Sequence, residues 1–470
     1  MKALALACIS LLGSSSAVPV QAASRMRSQQ AASAQYALHD LSRPGGATSA
    51  TARAINGDGI VVGNAVVHSH ATSEMWRLGS SGAEKGRVDI APPAGYADSE
   101  LVAINDNGAA VGTVYAAPGS SGVASGYPAY YRGSSWTVLR WHPSEQGTGD
   151  AIASNGVISA SFWDPSLNQF VAATVSPSAH GAYHGYHTLP LARSGRGSEG
   201  NAVLSLKGTV LVGGYEDTPA PHDEVAQQAV IWVNGKGPYT VDTSKLGFNQ
   251  PGTGVTSMYG YEPSQISAVG YGYENVDGIS WTEPWVVHIN AAGTKPVIGR
   301  PVALPVPGYA SFGYAATIGA SPDGQKGEFS IGGNASDLAG ATSAVLWMLD
   351  TSGNKLSVQS FTDLSTLATP AELSCPVYEV ESVDTRGNAA GYAFCNGRVR
   401  PATIYATVHE PQGIHTSNSS RVDRFSEPSA PDSVSRPVAL LTCGLRCFHQ
   451  GSCAQPIQAP PREFSCPPQG

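Results

Sequence analysis

Charge is scarce in this chain of 470 residues: Asp, Glu, Lys and Arg together make up 13%. The net charge of −8 has no concentrated acidic or basic run behind it. Nucleic acid and anionic membrane surfaces both call for clustered basic residues, so neither is indicated as a partner. Long apolar runs are also missing. After the opening residues no stretch approaches the roughly 20 apolar positions that a membrane helix needs. A nucleophile elbow, a metalloprotease His pair and a phosphate-binding glycine loop are all absent, which removes the hydrolase and nucleotide chemistries most readable from sequence. No cofactor is expected. Helix formers are few, whereas Gly reaches 54 residues and Pro 33, a balance that suits short strands joined by tight turns.

The first residues read as a secretory leader. Met1-Lys2 precede an apolar run from Ala3 to Gly13, and Val20-Gln21-Ala22 places small residues where a signal peptidase cuts. Cleavage near Ala22 makes the mature chain secreted, extracellular or periplasmic. Cys8 leaves with the leader, and six cysteines remain: Cys375, Cys395, Cys443, Cys447, Cys453 and Cys466. An even number in a secreted chain favours disulfides over metal ligands. Cys375 and Cys395 flank the turn at Arg386-Gly387, so a bridge between them would staple that hairpin and contribute roughly 3 kcal/mol. The four tail cysteines allow three pairings.

The dominant feature is a phrase that returns: AINGDGIVVG at 54–63, AINDNGAAVG at 103–112, AIASNGVISA at 151–160 and AVLSLKGTVLVG at 202–213. Looser copies follow at 257–270, 317–332 and 382–391. The closing positions Gly63, Gly112, Ala160, Gly213, Gly270, Gly332 and Gly391 lie 48 to 62 residues apart, a period that belongs to repeat architectures. In each clear copy a short apolar strand enters a two-residue turn such as Asp58-Gly59, Asn107-Gly108, Asn155-Gly156 or Asp323-Gly324, and a second strand leaves it. A third strand carries an aromatic, as in EMWRL at 74–78 or AVLWML at 344–349, and a fourth follows a polar turn. Seven units of four antiparallel strands predict an all-β fold, a seven-bladed β-propeller.

Closure is legible too. YALHDL at 36–41 resembles a fourth strand lacking its first three, while the last unit ends after its third strand near Val408. The N-terminal strand is therefore expected to complete blade seven and remove the open edges. The predicted organisation is a leader at 1–22, the propeller at 23–409, a Ser- and Pro-rich linker at 410–437 and a Cys-containing tail at 438–470, disordered or held by its own disulfides.

The segment YALHDLSRPGGATSATARAINGDGIVVG at 36–63 resembles the HAF-repeat extracellular proteins of bacteria. The likeness rests on Asp40-Leu41, Gly45-Gly46, Ser49, Ala52, Ile55-Asn56, Gly59 and Val61-Val62-Gly63, with the His-Ala-Phe element replaced by Pro128-Ala129-Tyr130, Gln228-Ala229-Val230 or Ser343-Ala344-Val345. It covers roughly 36–408 in degraded form. The resemblance implies an exported repeat protein and brings no established catalytic residues.

Candidate chemistry is thin. His180, His184 and His187, and separately His68 and His70 on one strand face, have the proximity a metal site could use, but the first set is broken by Gly181 and Gly185 and no metal is assigned. The Asn-Asp-Asn-Gly run lacks the longer oxygen series of a calcium loop and reads as turn chemistry. Tyr259, Tyr261, Tyr271, Tyr273, Trp281 and Trp285 form the remaining lead, because aromatic faces beside polar groups suit sugar rings or protein partners. The expected function is a non-catalytic binding or surface-interaction module for a glycan or protein. A carbohydrate-active propeller enzyme, lyase or glycosidase, is the alternative. Two or more acids with an Arg at one mouth of the channel would favour the enzyme, and an aromatic, uncharged mouth would favour binding.

Overall fold

The computed structural model describes residues 36–406, apart from 119–123, 141–145, 179–181, 184, 193–195, 220–224, 249, 277–278, 309, 323, 325, 352–355, 367–375 and 396–397. The leader, linker and tail expected from the sequence lie outside the described residues, as do His180, His184 and Cys375.

Seven antiparallel sheets surround one axis. The inner strands are Ala47–Ile55, Asp98–Ile104, Gly147–Ile152, Ser198–Leu206, Gln250–Glu262, Phe312–Ala320 and Val377–Val383, which define blades one to seven in that order. Each inner strand touches the inner strands of both neighbours, so the seven form a closed ring. Six sheets have four strands, and blade five adds Val302–Ala303 as a second short strand against Ile279–Asn290. The fold is a seven-bladed β-propeller. Tyr36–Asp40 pairs with Arg398–Ala406 as the outer strand of blade seven, so the chain's first strand closes the ring. Among the described residues no helix is long and apolar enough to cross a membrane.

The core lies between blades rather than inside one. Leu101 and Val62 pack across blades one and two, and Trp285 and Val255 pack against Ala229 and Leu211 across blades five and four. Trp76, Trp232, Trp285 and Trp347, all on third strands, are fully buried. Three of these indoles also tie their blade to the preceding connection: Trp76 donates to Ser42 O, Trp232 to Pro190 O and Trp347 to Pro305 O. Burying such side chains contributes roughly 1.5 to 3 kcal/mol each, which a lone sheet could not collect on both faces.

The repeat phrase now has a physical meaning in its first Asn. Asn56 Oδ1 accepts the N–H groups of Asp58 and Ile60, and its amide donates to Asn105 O of the next blade. Asn105 repeats the arrangement, accepting from Asn107 and Ala109 and donating to Ala153 O. These are turn-forming asparagines that also link blades. The turn differs from the two-residue form expected: Asn56 and Ile60 close a loop of three residues in which Gly59 alone has a positive φ, 72°. The Asn side chain stabilises that longer loop by capping two of its N–H groups. Lys207-Gly208, with φ of 48° and 83°, and Pro263-Ser264 in blade five are two-residue turns.

Candidate functional site

Every inner strand carries a β-bulge at the same place, immediately before the residue pair that opens the phrase. The register jumps between Ala52 and Ala54, Leu101 and Ala103, Gly149 and Ala151, Gly200 and Ala202, Val255 and Ser257, Ala315 and Thr317, and Val380 and Ser382. The extra residues are Arg53, Val102, Asp150, Asn201, Thr256, Ala316 and Glu381. A bulge breaks the ladder and re-aims a side chain. Two residues earlier stand Thr51, Glu100, Thr148, Glu199, Gly254, Tyr314 and Glu379. These two sets form two layers of the channel wall.

The closing glycines make the bulge possible. A Cβ on Gly63, Gly112, Gly214, Gly270, Gly333 or Gly391 would fall 1.9 to 2.0 Å from the carbonyl oxygen two residues before the bulge. The structural equivalents in blades four and six are thus Gly214 and Gly333, one residue beyond the positions 213 and 332 picked from sequence. Both blades carry a Gly-Gly pair there, and apolar pattern alone does not say which member faces the bulge. Blade three uses Ala160 opposite Gly149.

Five of the fourteen residues in the two layers are acids, and tyrosines of the second strands reach three of them. Tyr392 donates to Glu379 Oε2 at 2.7 Å, Tyr115 to Glu100 Oε2 at 3.5 Å, and Tyr215 also bonds Glu199. Ser161 donates to Asp150 Oδ2 at 2.9 Å. Arg53 of blade one is ion-paired with Glu381 of blade seven, and its charge also reaches Glu100 of blade two. In blade five Gly254 leaves room for the Tyr271 ring, which lies opposite it in register, 5.3 Å from Tyr273 and 5.8 Å from Tyr314 of blade six. Tyr314 in turn feels Glu379, Glu381 and Arg53. A residue of blade six senses the charge of blade one only when both sit near the axis, so these groups share the channel.

Burial sets their protonation. Removal from water pushes Asp150 up to about 8, aided by repulsion from Glu199. It raises Glu199 to about 7 against the opposing hydrogen bond from Tyr215, and Glu379 to about 7 with help from Glu381. Glu100 and Glu381 are raised by burial as well, with the Arg53 guanidinium working against the shift in both. The channel thus combines carboxyls that burial raises towards neutrality with one, Glu381, whose rise the paired Arg53 opposes, and unequal carboxyl environments are what general acid–base chemistry uses. Among the described residues no group of three or more His, Cys, Asp and Glu has the arrangement of a metal site.

Of the aromatics singled out from sequence, Tyr271 and Tyr273 join this wall. Trp285 is buried in the core between blades four and five. Tyr259 and Tyr261 pack on Phe329 of blade six, with Tyr259 also close enough to the axis to feel Asp106 of blade two and Asp384 of blade seven. Trp281 stacks on Phe312 at 4.5 Å. The six therefore do not form one surface. His68 occupies the turn after the second strand of blade one with φ of 49°, and His70, one residue beyond Ser69, bonds Asp98 at 3.1 Å, so the two do not share a strand face. His187 is exposed on the short outer strand of blade three. Cys395 is buried at the end of the second strand of blade seven.

No family model matches the chain, and no curated protein does. Solved structures are similar in fold. An oligogalacturonate lyase from Vibrio parahaemolyticus covers 79% of this chain and 96% of its own at 11% identity, with a TM-score of 0.42. An alpha-L-arabinofuranosidase from Lactobacillus brevis covers 56% of this chain and 98% of its own at 16% identity, with a TM-score of 0.33. A beta-1,2-mannobiose phosphorylase from Listeria innocua covers 76% and 89% at 10% identity, with a TM-score of 0.28. Likeness at this level concerns the fold alone.

Proposed function

We propose that this propeller is a carbohydrate-active enzyme that cleaves glycosidic bonds by general acid–base catalysis in its channel. The observation that carries the reading is two groups on the inner strands: Asp150 and Glu199 on the adjoining blades three and four, and Glu379, Glu381 and Arg53 on the adjoining blades seven and one. Glycoside hydrolysis asks for one protonated and one ionised carboxyl across the scissile bond. Asp150, Glu199 and Glu379 are the candidate acids, and Glu381, held by Arg53, is the candidate base or nucleophile. Tyr115, Tyr215, Tyr271, Tyr273, Tyr314 and Tyr392 supply ring faces and hydroxyls for a sugar.

The second reading is the binding module expected from sequence. It is favoured by the hydroxyls that already engage Glu100, Glu199, Glu379 and Asp150, an arrangement suited to holding a ligand without turning it over. The chain as a secreted, divergent HAF-repeat protein, with Cys375 bridged to Cys395, forms part of the same proposal.

The test is release of reducing ends from a polysaccharide panel by the full chain, with Asp150→Asn, Glu379→Gln and Glu381→Gln alongside. Product that falls at least a hundredfold in these variants supports the enzyme. Saturable binding without product supports the module, and silence in both assays removes the glycan reading.

A further inference from the structure

A cavity lined by none of Asp150, Glu199, Glu379 and Glu381 opens at the start of the first inner strand. It occupies about 580 Å³ at the seam between blades seven and one and is lined by Asp40, Arg43, Thr48, Arg398 and Arg400 among others. Three guanidinium groups in one cavity are out of keeping with a chain of net charge −8. Asp40 is the sole acid in the lining, and it is ion-paired with Arg400. The excess is therefore two positive charges. Moreover, Arg43 Nη1 and Arg400 Nε are buried donors with no hydrogen-bond acceptor. An unmatched buried N–H costs roughly 1 to 3 kcal/mol, a cost that a ligand acceptor would remove. Arginine forks match carboxylate and sulfate oxygens in pairs.

Placement connects this cavity with the channel. Its floor includes Ala47 and Thr48, the first residues of the inner strand that carries Thr51 and Arg53. At about 3.3 Å per residue, Thr48 and Thr51 are about 10 Å apart along the strand. One short oligosaccharide reaches both places.

We propose that the Arg43, Arg398 and Arg400 cavity is a subsite for the carboxylate or sulfate group of an acidic glycan whose neighbouring sugars enter the channel. This rests on the glycan reading of the channel and names its substrate class. Burial raises the carboxyls of Asp150, Glu199 and Glu379, which lessens their repulsion of such a chain near neutral pH. The ionic anchor makes affinity depend on salt.

The test is calorimetric titration of the full chain with tetragalacturonate, a sulfated tetrasaccharide, a neutral tetrasaccharide and free sulfate, at low and high salt. Arg43→Gln, Arg398→Gln and their double variant are compared, with Arg400 kept because it pairs with Asp40. Arg398 is exposed, so its replacement leaves the fold intact, and a matching thermal melt confirms this for each variant. The expected result is binding of one acidic tetrasaccharide at least tenfold tighter than the neutral one, weakened at least tenfold in the double variant and by added salt. The choice between the two acidic sugars distinguishes carboxylate from sulfate. Acidic binding unchanged in the double variant overturns the subsite while leaving the channel reading intact. Neutral sugar bound or cleaved as well as acidic sugar does the same. Free sulfate bound as tightly as either tetrasaccharide reduces the cavity to a small-anion pocket and also overturns the proposal. Loss of cleavage in Asp150→Asn with acidic binding retained separates the two claims in the other direction.

Discussion

Arg53 of blade one is ion-paired with Glu381 of blade seven, and the two side chains are only 12% and 16% exposed. The pair bridges the seam at which the ring closes. Replacing Arg53 with Gln leaves Glu381 as a buried charge without its counter-ion, a change that typically costs about 3 to 5 kcal/mol. The loss should be larger at pH 8 than at pH 5, because burial raises Glu381 and protonation removes the charge that Arg53 balances. Urea denaturation of Arg53→Gln at both pH values tests this, and an equal loss at each would refute it.

The channel carboxyls make stability depend on pH with a definite sign. A carboxyl whose folded value is raised favours folding fully below its unfolded value and loses that contribution as pH rises through the folded value. With unfolded values near 4 and folded values of about 7 for Glu199 and Glu379 and about 8 for Asp150, the melting temperature should fall between pH 5 and 8. Glu74, raised to about 9 chiefly by burial, continues the fall above that range. Asp150→Asn should flatten the profile, and a melting series across this range reads it directly.

Gly112 tests the bulge. An added Cβ would lie 1.9 Å from Glu100 O, a backbone atom that cannot swing aside. Gly112→Ala should destabilise by about 3 kcal/mol or more, at the upper end of overpacking effects. Gly108→Ala serves as a contrast: nothing lies within 4 Å of its Cβ and the strain there comes from φ of 70°, so the loss should be only about 1 kcal/mol. Equal losses in chemical denaturation would mean that the closing glycine is not sterically required.

Asn105 should separate its two roles. Asn105→Ala removes a donor to Ala153 O and an acceptor for two N–H groups, and buried groups left unmatched cost about 1 to 3 kcal/mol each. Asn105→Asp keeps the acceptor and should cost less. Blade seven already uses Asp384 in this way, accepting from the N–H groups of Arg386 and Asn388. Denaturation midpoints for both variants give the comparison.

Cys395 is buried at the end of its strand. If it pairs with Cys375 as the sequence suggests, thiol alkylation of the denatured, unreduced chain followed by peptide mass mapping should find both residues protected, and reduction should lower the melting temperature. Labelling of either residue before reduction would exclude the bridge.

The architecture was legible because the phrase repeats an element that every blade must build in the same way. Asn56 and Asn105 recur because their side chains close the turn and bind the next blade, and YALHDL could be matched to an unfinished sheet. The channel was hidden for a related reason. Arg53, Asp150 and Glu381 sit on bulges, where strict alternation of strand faces fails, so a reading based on alternation gives them no common surface. A signal was nonetheless present: charged residues stand directly before Ala54-Ile55, Ala151-Ile152 and Ser382-Val383, the same point of the phrase. Tyr271 and Trp285 show the converse error. They are close in sequence, yet one joins the channel wall and the other fills the core between blades four and five.

The outer strand of blade seven comes from residues 36–40 and its partner from residues 398–406. A ribosome therefore delivers one half of the clasp first and the other some 360 residues later, the interval between Asp40 and Arg400 in their ion pair. Until that late segment emerges, the nascent chain is an open fan with its founding strand unmatched, and any product truncated before residue 398 stays so. Ring closure therefore has to wait for the chain as far as residue 406.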